Sequence, residues 1–333
     1  MSKKQMTVGV LSKLGPDGSN PFAAIIDHGV KVTQVCSWEV ARWTPATAKR
    51  VVTNAKKGGI RVNSMWAGYS GRVAWNFIDG PSTLGLVPPE TRAQRVKDLK
   101  KGADFAEMIG APAIVTHCGF IPENWDSPLY QPTLDAIGEV AEYCRKKGLE
   151  FWFETGQETP VTLLRTIEDL GMPNLGINFD TANVILYGKG NPLDALDVFG
   201  KYVKCLHAKD GLYPTNGRQL GKEVPVGEGK SQYEKLIPKL YEMGFKGDLI
   251  IEREITGEQQ TKDIVKTIIY LNKLIDKAAA KDAAKTVKDK AVKAPAKAAK
   301  APAKKAAAKP APKAPAKVKA PAKKAPAKAK AKK

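Results

Sequence analysis

Along the chain, short apolar runs alternate with longer stretches of helical period, and the alternation repeats eight times. Thr7 to Leu11 (TVGVL) is followed by a helix near Pro21 to His28. Val32 to Cys36 precedes a helix opening at Thr44, with Pro45 in the first turn, where a missing N–H costs nothing. Ile60 to Met65 leads into a long loop, Trp66 to Val87, before Pro88 and Pro89 open a helix reaching Ile109. Ala113 to Thr116 pairs with a helix around Leu134 to Lys147, and Leu149 to Glu154 with one at Val161 to Leu170. Leu175 to Phe179, Val203 to Leu206 and Leu249 to Ile251 are each followed by a helix, near Pro192 to Phe199, at Gln232 to Met243 and from Glu258 to Lys277. The strand runs are apolar throughout rather than alternating, as in a parallel sheet buried on both faces. The pattern predicts an α/β protein with a single (β/α)8 TIM barrel over residues 1–277. A doubly wound open sheet is the alternative. It is disfavoured because polar residues close many strands instead of gathering at one switch point beside a glycine fingerprint.

Those closing residues carry the chemistry. LEFWFETG (Leu149 to Gly156) runs five largely apolar residues into Glu154, and a carboxylate is costly to bury without a cation or hydrogen-bond donor. LGINFD ends on Asp180, VKCLH on His207 and LIIE on Glu252. In a barrel all four strand ends point to one face and converge. Two Glu, one Asp and one His form a ligand set suited to Mn²⁺, with Mg²⁺, Co²⁺ or Zn²⁺ tolerated. Taken singly, each residue has an alternative reading as a side chain satisfied by its barrel neighbours.

The net charge of +20 looks extreme until it is located. From Lys281 onward there are 19 Lys against Asp282 and Asp289, which leaves only +3 for the preceding 280 residues. Residues 278–333 are therefore expected to be a separate, disordered basic tail, its Ala- and Lys-rich stretch up to Val292 open to a fraying helix, with seven prolines from Pro295 onward, A-P-A-K-like repeats and no aromatic residue. Its repeats resemble the tails of linker-histone-like proteins, and its charge predicts salt-sensitive, sequence-independent binding of nucleic acid through 281–333. Cys36, Cys118, Cys144 and Cys205 show no paired or metal-finger spacing, which predicts reduced thiols. No stretch reaches the ~20 apolar residues of a membrane span, and no signal peptide is evident, so the expectation is a soluble, cytoplasmic protein with no membrane partner. Oligomeric state stays open, a homo-oligomer included.

The order Glu (FWFETG), Asp (NFDTAN), His (LHAKDG) and Glu (IIEREI) on strands five to eight resembles the xylose-isomerase-like TIM barrels, over Thr7 to about Lys277. That superfamily includes sugar and sugar-phosphate isomerases and epimerases, inosose dehydratase and an apurinic endonuclease branch. The resemblance implies that Glu154, Asp180, His207 and Glu252 hold one divalent metal, with Glu154 and Glu252 as the acid/base pair on a sugar or sugar phosphate. It implies isomerase or epimerase chemistry through an enediolate, with an inosose-type dehydratase as the near alternative. A third alternative is a DNA-associated barrel, abasic-site endonuclease-like or non-catalytic, tethered by the tail. Family members often carry a histidine three residues after the Asp. Here that position is Asn183, and three histidines in all are too few for a multi-histidine zinc site. The segment H-A-K-D is closer to the inosose-dehydratase side, with Lys209 set to hold a substrate oxygen.

Substrate-facing candidates are His117, which closes AIVTH, together with Asn183, Lys209 and Trp66. Trp38, Trp75 and Trp125 are further candidates for stacking on a sugar face, although such residues equally serve as buried loop anchors. The loop from Trp66 to Val87 is long enough to act as a lid. The run Val226 to Ser231 (VGEGKS) ends like a phosphate loop, but Val224 stands where that motif needs glycine. Phosphate docking nearby competes with a plain turn. Cys118 as a nucleophile is disfavoured.

Overall fold

The computed structural model describes residues 6–15 and 19–298. Ten strands occur in the order β1 (Thr7–Lys13), β2 (Val32–Ser37), β3 (Arg61–Ala67), β4 (Ala113–Thr116), β5 (Glu150–Glu154), β6 (Leu175–Asp180), β7 (Val203–Ala208), β8 (Asp210–Leu212), β9 (Lys222–Val224) and β10 (Asp248–Ile251). All but β8 and β9 close into one barrel in the order β1-β10-β7-β6-β5-β4-β3-β2, every neighbouring pair parallel. The result is a (β/α)8 TIM barrel with helices around it. Strands β8 and β9 form a separate antiparallel hairpin after β7. That hairpin and the short helices Gly80–Thr83 and Thr181–Leu186 are additions to the predicted pattern.

Strand periodicity decides what reaches the centre. Side chains alternate between the lumen and the helix layer. Phe151 and Phe153 join the large cluster shared with the helices, whereas Trp152 packs inside the barrel with Val32, Cys36, Trp66, Ala113, Val115, Cys205 and Ile250. Two residues beyond these lumen positions, at the C-terminal ends of their strands, lie His117, Glu154, His207 and Glu252. The lumen thus carries these apolar side chains beneath a polar upper rim, beside a buried polar file of Gln34, Ser64, Asn63 and Asp248.

Two bulges interrupt the alternation. Pairing of β2 with β3 passes from Thr33↔Val62 to Gln34↔Ser64, leaving Asn63 as the extra residue; pairing of β6 with β7 skips Lys204.

Several helices start where the sequence signals predict. Thr44 and Thr159 accept hydrogen bonds from the third helical N–H, each followed by Pro at the first position. The last helix was expected to close near Lys277 but runs from Glu258 to Ala298, with Leu271, Ile275 and Ala278 buried. Contacts divide the chain after Thr286. The Pro-rich repeats from 299 onward, and with them most of the predicted tail, lie outside the described residues. Among the described residues, no helix is long and apolar enough to cross a membrane.

Candidate active site

Glu154, Asp180, His207 and Glu252 each place one ligand atom such that all four lie within 4.8 Å of one another. Asp180 and His207 are fully buried, Glu154 nearly so, and the Glu252 side chain keeps 18% exposure toward the cavity. His207 Nδ1 stands 2.8 Å from Glu154 Oε1, 3.3 Å from Glu252 Oε2 and 3.8 Å from Asp180 Oδ2.

Each ligand is held by a local device. Asp180 caps the helix Thr181–Leu186: its Oδ1 accepts from the N–H groups of Ala182 and Asn183, both at 2.8 Å. Its Oδ2 is left without a hydrogen-bond partner. Thr155 clamps the same strand end, its Oγ1 accepting from Asp180 N and donating to Asp180 O. Glu154 Oε2 accepts from Asn178 Nδ2 on β6. His207 Nε2 pairs with Gln34 Oε1 at 2.7 Å. Its Nδ1, like Asp180 Oδ2, has no aligned hydrogen-bond partner. These two buried atoms make only ion-pair contacts, His207 Nδ1 with Glu154 at 2.8 Å and Asp180 Oδ2 with the Lys209 ammonium at 3.6 Å, and with the two glutamates around the same centre they fit a divalent cation. The mostly oxygen donor set with one imidazole favours a hard or borderline metal.

Electrostatics separate the two glutamates. Burial pushes the Glu154 carboxyl up to about 7 against the pull of His207. Burial would also raise Glu252, but Lys209 and His207 beside it hold it well below the usual carboxylate range. His207 lies well above the ordinary imidazole value: burial opposes its charge, but Glu154 and Glu252 outweigh it.

Lys209, also fully enclosed, has its ammonium 2.8 Å from Glu254 Oε2 and 3.2 Å from Glu252 Oε2, and donates to Asn183 Oδ1 at 3.3 Å. All four substrate-facing candidates, His117, Asn183, Lys209 and Trp66, line one cavity, Trp66 as part of its aromatic wall. The cavity measures about 470 Å³. Trp38 packs 4.9 Å from Trp66, and Trp75 lies 5.0 Å from the His117 ring. Burial depresses His117 to about 3, so it faces the cavity as a neutral imidazole.

Other expectations are corrected. Trp125 is 61% exposed and stacks under Arg165 instead of lining the cavity. The loop from Trp66 to Val87, expected as a lid, is anchored near both ends, with partly exposed residues 73–79 between the anchors. Buried Arg95 donates to the carbonyls of Ser70, Arg72 and Gly85 and lies over the Tyr69 ring, while Gly85 N donates to Tyr69 OH. The VGEGKS run does form an amide nest, but the nest is filled from within. Asp210 accepts from the N–H groups of Gly211, Gly227, Gly229 and Ser231 at 2.9 to 3.0 Å, which leaves no place there for a phosphate. Cys118 is buried, and burial drives its thiol well above the ordinary value, consistent with its not being a nucleophile. Among the described residues, neither His28 nor His117 enters the ligand cluster. Sequence reasoning missed Gln34 and Tyr187. Gln34 was signalled by a lone amide inside the apolar run VTQVC, and Tyr187, a cavity residue, follows a helix too short to register in the pattern.

Fold and cluster together define a class: a closed βα barrel with an acidic, single-histidine ligand set at the C-terminal ends of its strands. The chain belongs to the xylose isomerase-like TIM barrel family, whose model matches residues 22–274. It is similar to the crystal structure of a xylose isomerase domain protein from Planctomyces limnophilus, with 35% identity, 83% of this chain and 99% of that one covered, and a TM-score of 0.76. A D-tagatose 3-epimerase-like protein shares the fold at 20% identity, with 83% and 99% covered and a TM-score of 0.67. An uncharacterized protein of Methanocaldococcus jannaschii is 27% identical over 205 residues, 57% of this chain and 67% of that protein.

Proposed function

We propose that this chain is a divalent-metal-dependent sugar or sugar-phosphate isomerase or epimerase, with Mn²⁺ as the preferred ion. The carrying observation is the convergence of Glu154, Asp180, His207 and Glu252 within 4.8 Å at the edge of an aromatic-walled cavity, with Asp180 Oδ2 and His207 Nδ1 buried and without an aligned hydrogen bond. When bound, the metal supplies polarisation of a substrate carbonyl and neutralises the negative charge that develops beside it. The protein supplies the proton transfers. Glu252, its Oε2 3.2 Å from the Lys209 ammonium, would accept a proton from carbon as a carboxylate, and Glu154 would return one. Return to the opposite face of the same carbon is epimerisation; delivery to its neighbour is aldose–ketose isomerisation. Lys209 and Asn183 donate to substrate oxygens, neutral His117 meets a hydroxyl, and Trp66 with Trp38 and Trp75 covers an apolar sugar face.

A second reading rests on Lys209. Its ammonium, 3.2 Å from Glu252 Oε2, is placed to protonate a departing β-hydroxyl, which would make the enzyme an inosose-type dehydratase. The test is incubation of the Mn²⁺-loaded full-length protein with ketoses, ketose phosphates and inososes in D₂O. Solvent deuterium on carbon in a product isomeric with the substrate supports the isomerase reading. Loss of water supports the lyase, and exchange into none of the panel refutes both.

A further inference from the structure

Behind the ligand cluster, the barrel lumen contains a continuous hydrogen-bonded file. It runs from His207 through Gln34, Ser64 and Asn63 to Asp248, at the opposite end of the strands. Gln34 Oε1 meets His207 Nε2 at 2.7 Å, and Gln34 Nε2 donates to Ser64 Oγ at 2.9 Å. Ser64 Oγ donates to Asn63 Oδ1 at 2.6 Å, and Asn63 Nδ2 donates to Asp248 Oδ2 at 2.7 Å. Arg61 donates to both oxygens of Asp248, at 2.7 and 2.9 Å. Every member between His207 and Asp248 is buried.

The bulge in β3 makes this file possible. Val62 and Met65 belong to the cluster shared with the helices and Trp66 to the lumen cluster, so one residue between Val62 and Trp66 is surplus to strict alternation. Asn63 and Ser64, adjacent in sequence, consequently bond to each other and to lumen partners on two different strands.

The direction of each bond follows from the group at the far end. Asp248, both of whose oxygens accept from Arg61, acts only as an acceptor, so Asn63 presents its NH₂ to it and its oxygen to Ser64. The Ser64 hydroxyl proton is thereby committed to Asn63, and Ser64 must accept from the Gln34 NH₂. Gln34 is left with its oxygen toward His207, which must donate Nε2–H.

We infer that Gln34, oriented by Ser64, Asn63 and Asp248, is the positioning residue that fixes the His207 tautomer and turns Nδ1 toward the metal. Each link points its proton toward the Asp248 carboxylate, so polarisation along the file makes His207 Nδ1 a better donor, the part a directly bonded carboxylate plays behind other metal-bound histidines. The inference rests on the metal reading of the proposed function.

The experiment measures Zn²⁺ affinity of the full-length protein by chelator competition, with ¹⁵N chemical shifts of the Zn²⁺-loaded protein as a second readout. Only three histidines contribute, which makes His207 assignable. In the unaltered chain, Nε2 should be protonated and Nδ1 coordinated. Gln34→Leu should weaken Zn²⁺ 10- to 100-fold. Gln34→Glu, which still accepts from Nε2–H, should recover most of that affinity. Ser64→Ala leaves Gln34 in place but removes the group that dictates which way its amide faces, and should cost several-fold. Equal Zn²⁺ affinity in Gln34→Leu and the unaltered protein, or coordination through Nε2, would overturn the inference. Absence of Zn²⁺ binding by the unaltered protein would overturn the metal reading itself. If Gln34→Leu does not fold, Ser64→Ala and Gln34→Glu decide: unchanged affinity in Ser64→Ala together with loss in Gln34→Glu refutes the inference.

Discussion

Asp210 offers a sharp test of how this barrel uses its glycine-rich turn. Its carboxylate accepts four backbone N–H bonds, and the fit is close: a Cβ built on Gly229 would stand 2.2 Å from Asp210 Oδ1. Asp210→Ala strands all four donors, but unequally. Gly227 is exposed and Gly229 half-buried, so water replaces the lost partner at small cost. Gly211 and Ser231 are buried, and a buried donor left unsatisfied costs ~1–3 kcal/mol. The two together predict a loss of ~4 kcal/mol, a fall in Tm of about 10 °C for a domain this large. The effect should reach the site, because Ser231 Oγ, Tyr233 OH and Thr181 Oγ1 all donate to the Lys209 carbonyl from the surroundings of this turn. An emptied nest is also a vacant anion site. Millimolar inorganic phosphate should therefore restore part of the Tm of Asp210→Ala and leave the unaltered protein unmoved. Thermal melts of both proteins with and without phosphate make the check. A fall of under about 2 °C, or equal stabilisation of both proteins by phosphate, would show that the internal carboxylate does not occupy this nest in solution.

Three further outcomes follow from the same geometry. Burial pushes the Glu158 carboxyl from its ordinary 4.5 up to about 8, so between those values the folded chain holds a proton that the unfolded chain releases, and stability falls as pH rises. Glu158→Gln should flatten that fall, the difference approaching ~4 kcal/mol by pH 8; parallel Tm–pH curves for the two proteins would contradict it. Manganese content near one equivalent per chain in the unaltered protein should be lost in the double variant Glu154→Gln, Glu252→Gln, and retention would show that the cluster is not the ligand set. For the basic tail, a gel shift should show salt-sensitive binding of duplex DNA by the full-length protein and not by a version ending at Thr286, a boundary that retains buried Ala278. Equal affinity at low salt would refute tail-mediated binding.

What could be read in the sequence follows a physical division. Barrel strands announce themselves because they are buried on both faces, and a carboxylate or imidazole ending such a run is conspicuous against it. Glu154, Asp180, His207 and Glu252 were therefore legible, and so was their meeting, since a parallel barrel places every strand's C-terminal end on one face. Features that depend on pairing across the barrel were not. The Asn63 bulge is a register relation between β2 and β3, and no local pattern in IRVNSM distinguishes a surplus residue from an ordinary one. The occupant of the VGEGKS nest lies 16 to 21 residues earlier in the chain, so the motif displays its donors and hides its acceptor. The loop Trp66 to Val87 looked free because it is long and irregular, yet it is tied down near both ends by Arg95 from a helix whose sequence gives no sign of facing it. In each case the missing information was the partner of a polar group. A single amide among apolar neighbours, such as Gln34 in VTQVC, is the local sign that such a partner must exist, because an unpartnered amide there would cost more than the strand could tolerate.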